Sequence, residues 1–168
     1  MTTFFRAARL LSLAAWVGGI FFFAFAVARI AFSVLPDAHT AGSVVRAALI
    51  ALHHLGFVAG AIYLVATLTL IGTQRDGHIA RAIEVLIILV MLVLTGYSHF
   101  SVIPRMENDR LSLGGDIAKA DPTLPAAHHF NRLHGLSVKL EASVLLCGIA
   151  LLCLAPVPNR TPLDSLYS

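Results

Sequence analysis

Charge is scarce in this chain: Asp, Glu, Lys and Arg make up only 12% of its 168 residues, against about a quarter in a typical soluble domain. That scarcity excludes an ordinary water-facing surface. The formal net charge is +3, but the arginines gather at the ends of apolar runs, a pattern that points away from a nucleic-acid partner. Cysteine is nearly absent. Cys147 and Cys153 lie six positions apart and so project from different sides of a helix, which leaves neither a disulfide framework nor a CxxC site. There is no Gly-rich phosphate loop, no Ser-His-Asp arrangement and no pair of acids at useful spacing, so no recognisable catalytic motif argues for an enzyme. Internal repeats and low-complexity tracts are also missing.

What the chain has in abundance is apolar length. It is 58% hydrophobic with a mean hydropathy of +0.83. The runs cover 10–28, 47–73, 85–104 and 133–156, the last carrying Lys139 and Glu141 near its start. About twenty apolar residues cross the hydrocarbon, where only helices or closed barrels satisfy their own backbones. Continuous runs lack the alternation of a barrel strand. The sequence therefore predicts an all-α, integral membrane four-helix up-down bundle. It forms a single transmembrane domain over 1–168, with spans at about 8–34, 46–73, 82–104 and 125–156 and an outer loop at about 105–124. Arg6 and Arg9 before an apolar run ending in Ala26-Val27-Ala28 imitate a signal peptide, but the run exceeds the 7–15 residues of such a segment and is read as the first helix.

Turn chemistry supplies the connections. Pro36-Asp37 is expected to end the first helix, Arg75-Asp76-Gly77 to reverse the chain between the second and third, and Pro104 to end the third. Short links make neighbouring helices antiparallel. Asp121 reads as a helix cap with Pro122 in the first turn, so that the fourth helix begins outside the membrane. Loop charge is nearly balanced between the two sides. The dominance of the first helix then places both termini in the cytoplasm and the protein in the inner (plasma) membrane.

Polar residues at membrane depth are the functional clue. His53, His54, His99 and His134 all fall in the outer half, where Arg29, Arg46, Arg105 and Arg132 are expected to form a cationic ring. His134, Ser137 and Glu141 follow i, i+3, i+7 spacing and share one face of the fourth helix. A carboxylate at the membrane centre costs about 2.5–3.5 kcal/mol on insertion scales, so Glu141 is expected to be paired, protonated or beside water. A plainer reading has Glu141 bond Arg46 or a histidine and lock the helices in register. His39, His78, His128 and His129 fit simple residence in the interface.

Three segments carry a resemblance: Trp16-Val17-Gly18-Gly19 with the phenylalanines that follow, Ile103-Pro104-Arg105-Met106, and the Phe130 to Ser137 stretch with its Phe-x-x-x-His-Gly-Leu-Ser pattern. Together they resemble the transmembrane protein 205-like family along nearly the whole chain. The resemblance implies a four-helix membrane domain of largely unestablished molecular function. Its pattern falls on Trp16, His53 or His54, Pro104, Arg105, His134, Gly135 and Ser137, and departs at Glu141, where relatives carry asparagine.

These features favour a membrane domain that holds haem b, or less readily a copper ion, between the second, third and fourth helices. His53, His54, His99 and His134 are the candidate ligands. Arg46, Arg105 and Arg132 would meet the propionates, and Glu141 and Ser137 would form a polar core. The alternatives are a proton, cation or small-solute transport component and a structural subunit of a membrane complex. The expected partners are the lipid bilayer and a membrane-protein partner or a second copy of the chain, with no nucleic acid.

Overall fold

A computed structural model describes residues 2–73 and 78–154. The expected reversal at Arg75-Asp76-Gly77, the side chain of His78 and everything beyond Leu154 lie outside the described residues. Four long apolar helices make up most of the described chain: α1 (Thr2–Val34), α2 (Ala38–Gly72), α3 (Ile79–Ser112) and α4 (Pro125–Leu154). No strand occurs among the described residues. The all-α expectation holds.

Helix ends differ from the apolar runs because polar caps and backbone adjustments carry the helices past them. α2 begins at Ala38, well before position 46, because Asp37 caps it. The Thr40 N–H donates to Asp37 Oδ1 at 2.7 Å and the Thr40 hydroxyl donates to Oδ2 at 2.9 Å. Pro104 does not end the third helix, which runs on through Ile103–Ser112. A π turn over Ser98–Val102 precedes it, closed by the Ile103 N–H donating to the Ser98 carbonyl. That wider turn makes room for a ring that would otherwise clash with the carbonyl four residues back. Asp121 caps a tight turn through the Thr123 N–H and hydroxyl. The fourth helix starts later, with Pro125 in its first turn and Leu124 accepting from Ala127 and His128.

The helices form a ring in which α1 touches α2 and α4, and α3 touches α2 and α4, leaving α1 and α3 on the diagonal. Leu13, Trp16, Ile20, Ile88, Met91, Val144 and Leu151 fill its centre and are almost fully buried. The approach is close because small residues face large ones. A Cβ at Gly56 would lie 2.6 Å from the Trp16 indole nitrogen, and one at Gly60 3.1 Å from the same ring. A Cβ at Gly148 would collide with the Val17 side chain. Without a hydrophobic drive between helices in lipid, such contacts supply the association. Phe21, Phe22, Val58, Val65, Val93 and Leu146 point outward instead, as lipid-facing residues do.

The helix ends near the N-terminus, here the lower end, are tied by a buried ion pair. Arg9 Nη1 donates to Glu84 Oε2 at 2.6 Å, with both side chains no more than 6% exposed. The guanidinium also lies 5.6 Å from the Tyr63 ring centroid. Removing one partner strands a buried charge, whereas replacing both with apolar groups removes the desolvation cost as well. Arg9→Leu or Glu84→Leu alone is expected to cost about 3–5 kcal/mol, and the double variant far less. Thermal unfolding of the four detergent-solubilised proteins checks this double-mutant cycle.

The cap on α2 adds a pH dependence. Hydrogen bonds from Thr40 hold the Asp37 carboxyl below its ordinary 3.8, so its stabilisation is complete above that value and is lost as pH falls through the lower folded value. Asp37→Asn keeps an acceptor without the charge. Its melting temperature is expected to fall less than that of the wild type between about pH 6 and pH 3.

Candidate functional site

At the upper end, which carries the Pro36 turn and the long connection, the four helices no longer close on one another. Above the Trp16 contact α1 enters a π turn over Phe23–Val27, closed by the Ala28 N–H donating to the Phe23 carbonyl. From there upward α1 stays against α2, while its contact with α4 belongs to the turns below. A cavity of about 740 Å³ opens between them, within the range of pockets for small molecules. Its walls are apolar and partly aromatic, with Phe23, Phe25, Phe32, Phe130, Val138 and Leu145 among them. Its polar groups are unevenly placed: Ser137 and Glu141 lie deep, and His39, Arg46, Glu107, Arg110 and Asp116 lie toward the loop end.

The deep polar group is a pair. His53 Nε2 and Glu141 Oε1 are 2.6 Å apart, joining α2 to α4, with the histidine side chain 1% exposed and the glutamate 14%. His53 Nδ1 is buried and has no hydrogen-bond partner, so a neutral ring that donates from Nε2 leaves a lone pair unmet there, whereas an imidazolium would strand an N–H donor in its place. The remaining histidines do not converge on one point. The His99 ring packs against His53 at 5.5 Å and His54 at 5.1 Å between centroids, and also against Phe57 and Phe100. His54 and His99 face a shallower groove of about 400 Å³ between α2 and α3. His134 is exposed, stacks on Phe130 one turn away, and lines the main cavity. No group of three or more His, Cys, Asp or Glu among the described residues could hold a metal ion.

The expected cationic ring is differently composed. Arg29, Arg105 and Arg132 are exposed to the surroundings, and of the four arginines placed in it only Arg46 lines the cavity. Arg110 joins it. Glu107 stands between the two: Arg110 grips both of its oxygens, at 2.9 and 2.7 Å, and Arg46 Nε lies 3.5 Å away. Arg110 also donates to the Gly115 carbonyl at 2.9 Å, fastening the connection over the mouth of the cavity. Gly115 itself has φ +88°, a conformation that favours glycine. His39 reaches the same carbonyl from α2, and His129 pairs with Asp109 at 2.7 Å.

Glu107, Arg110 and His39 were missed by reading the sequence because they lie beyond Pro104 or before position 46, where the helices were expected to have stopped. The signal existed. Glu107 and Arg110 stand at i, i+3 spacing directly after a Pro-Arg pair, as a helix continuing through Pro104 would place them.

No curated protein and no solved structure matches this chain. A family model described as a domain of unknown function (DUF4149) matches residues 11–110, from the first core turns of α1 to the Glu107–Arg110 clasp and short of Glu141. With four helices suited to crossing a membrane and more than half of its length inside that match, the chain is a multi-pass membrane protein of the DUF4149 family.

Proposed function

We propose that this domain binds an amphiphilic small molecule in the cavity between the upper halves of α1 and α4, entering from the lipid between them. The observation that carries the reading is the cavity's polarity: aromatic and aliphatic walls, a deep His53–Glu141 pair, and a charged clasp at the loop end. An occupant with an apolar body and at least one polar group would match all three parts.

Haem b is the narrower form of this reading. It is supported by the volume of the cavity and by Arg46 and Arg110 near its mouth, but His134 is the only one of the four candidate ligands that lines the cavity. His53 is engaged by Glu141, and His54 and His99 look into the other groove. Transport from one membrane face to the other is less well supported. Leu13, Trp16, Ile88 and Met91 fill the interior between the Arg9–Glu84 and His53–Glu141 pairs. The same reading includes kinship with the transmembrane protein 205-like family and residence in the inner membrane with cytoplasmic termini, the latter supported by Arg6 in the exposed first turns of α1.

Purification in gentle detergent, followed by an absorption spectrum, metal analysis and mass spectrometry of extracted small molecules, tests the proposal. The expected result is a stoichiometric amphiphile in the wild type that is lost when Ala142→Trp fills the cavity without unfolding the protein. A Soret band would identify it as haem. A chain that is empty and equally stable with and without the tryptophan overturns the reading.

A further inference from the structure

The cavity's charge is not evenly compensated, and that selects among amphiphiles. At the mouth, the Arg46 and Arg110 guanidiniums share Glu107, and the Asp116 carboxylate pairs with Lys119 at 3.1 Å. At the deep end stands Glu141 alone with His53. One carboxylate oxygen takes the His53 N–H, and the histidine's orphaned Nδ1 favours the neutral ring. The pair as a whole then carries the carboxylate's negative charge. Lys139, two residues away on the same helix, is exposed and points elsewhere. Arg46 stands seven residues above His53, about 10 Å along α2, and shares Glu107 with Arg110, so the surplus positive charge of that trio stays at the mouth.

Aromatic rings form part of the cavity's walls. Phe23 and Phe25 from the π turn of α1, and Phe130 from α4, line the same cavity, and the faces of aromatic rings attract cations where water is excluded. Glu141 lies at membrane depth, so a group that meets it must tolerate apolar surroundings. A bulky cation with its charge spread beneath hydrocarbon does so, whereas a compact, strongly hydrated ion does not.

Resting on the reading of the cavity as an amphiphile site, we infer that its occupant is a lipophilic cation, with Glu141 as the counter-charge and the phenylalanines as the enclosing walls. Neither a phosphate-bearing lipid nor a lipophilic anion would gain from a carboxylate at this position.

Tetraphenylphosphonium and tetraphenylborate have nearly the same size and shape and opposite charge, so their comparison isolates the charge. Equilibrium binding of each is measured on the full chain in lipid nanodiscs, with empty nanodiscs subtracted. The expected result is at least about tenfold tighter binding of the phosphonium, converted by Glu141→Gln to equal or reversed preference, while Glu141→Asp keeps it. Glutamine retains an acceptor for the His53 N–H, and the wild-type charge comparison stands even if that variant does not fold. Equal binding of both ions, or preference for the borate, both abolished by Ala142→Trp, overturns the inference about charge and leaves the amphiphile site in place. Binding of neither ion, with no molecule co-purifying and Ala142→Trp without effect, overturns both.

Discussion

Trp16 decides the shape of this domain. Its indole lies where a Cβ on Gly56 or Gly60 would collide, and Val17 beside it fills the space that a side chain on Gly148 would need. α1 is thereby drawn tightly onto α2 and α4 through its lower turns, at the cost of having no side chains at three facing positions. In lipid, where apolar surface gains nothing by leaving the solvent, this close van der Waals fit is the main source of helix association. The fit is local. Above Ile20 the facing small residues end, the π turn at Phe23–Val27 shifts the register of α1, and the helix no longer follows α4. The cavity is the geometric remainder of a contact satisfied only in the lower half.

Two acid–base pairs mark the two halves and act differently. Arg9–Glu84 is enclosed, with an aromatic ring over the guanidinium, and it lines neither of the two cavities at the upper end. It balances its own charge and sets α1 against α3 across the diagonal. His53–Glu141 joins α2 to α4 along the cavity wall, and its carboxylate is partly open to that space. The first pair matches one charge with the other inside the bundle, although Arg9 Nε has no hydrogen-bond partner. The second turns a carboxylate toward the cavity, which is why the upper half and not the lower one reads as the place for a guest. Between them the filled core of Leu13, Ile88 and Met91 separates the two chemistries by several helical turns.

Reading the sequence reached the class of fold directly, because four apolar runs of bilayer length leave the backbone no other solution. It also singles out Glu141 as a residue needing a partner, with a histidine among the candidates, from the cost of an isolated carboxylate in hydrocarbon, and His53 Nε2 lies 2.6 Å from its carboxylate. It could not choose His53 over its neighbour His54, since adjacent positions on a helix differ by roughly 100° of rotation and only the packing of α2 on α4 selects one. Pro104 misled for a physical reason. Proline ends an α-helix unless the turn before it widens, and a π turn leaves no mark in residue type that would announce it. A third helix that stops at Pro104 leaves Glu107 and Arg110 in a loop, where the clasp they form is invisible.

The clasp explains how a small bundle tolerates so much open volume. A gap between helices forfeits the dispersion contacts that its lining side chains would otherwise make, and in this domain the loss falls on α1 and α4, the pair with no short connection between them. Arg110 offsets it from a third direction. By gripping Glu107 on its own helix and the Gly115 carbonyl in the connection, while Glu107 also faces Arg46 on α2, it fixes the start of the long connection that leads into α4 relative to α2 and α3. His39 on α2 reaches the same carbonyl, and His129 on α4 bonds Asp109 on α3. The mouth is therefore held by hydrogen bonds at headgroup level, where water and lipid heads screen charge and exposed pairs are individually weak. A small set of coupled weak bonds above, with a rigid glycine-lined contact below, leaves the wall between α1 and α4 as the part of the bundle with least to hold it shut. That is where a hydrophobic molecule arriving from the bilayer would find its way in.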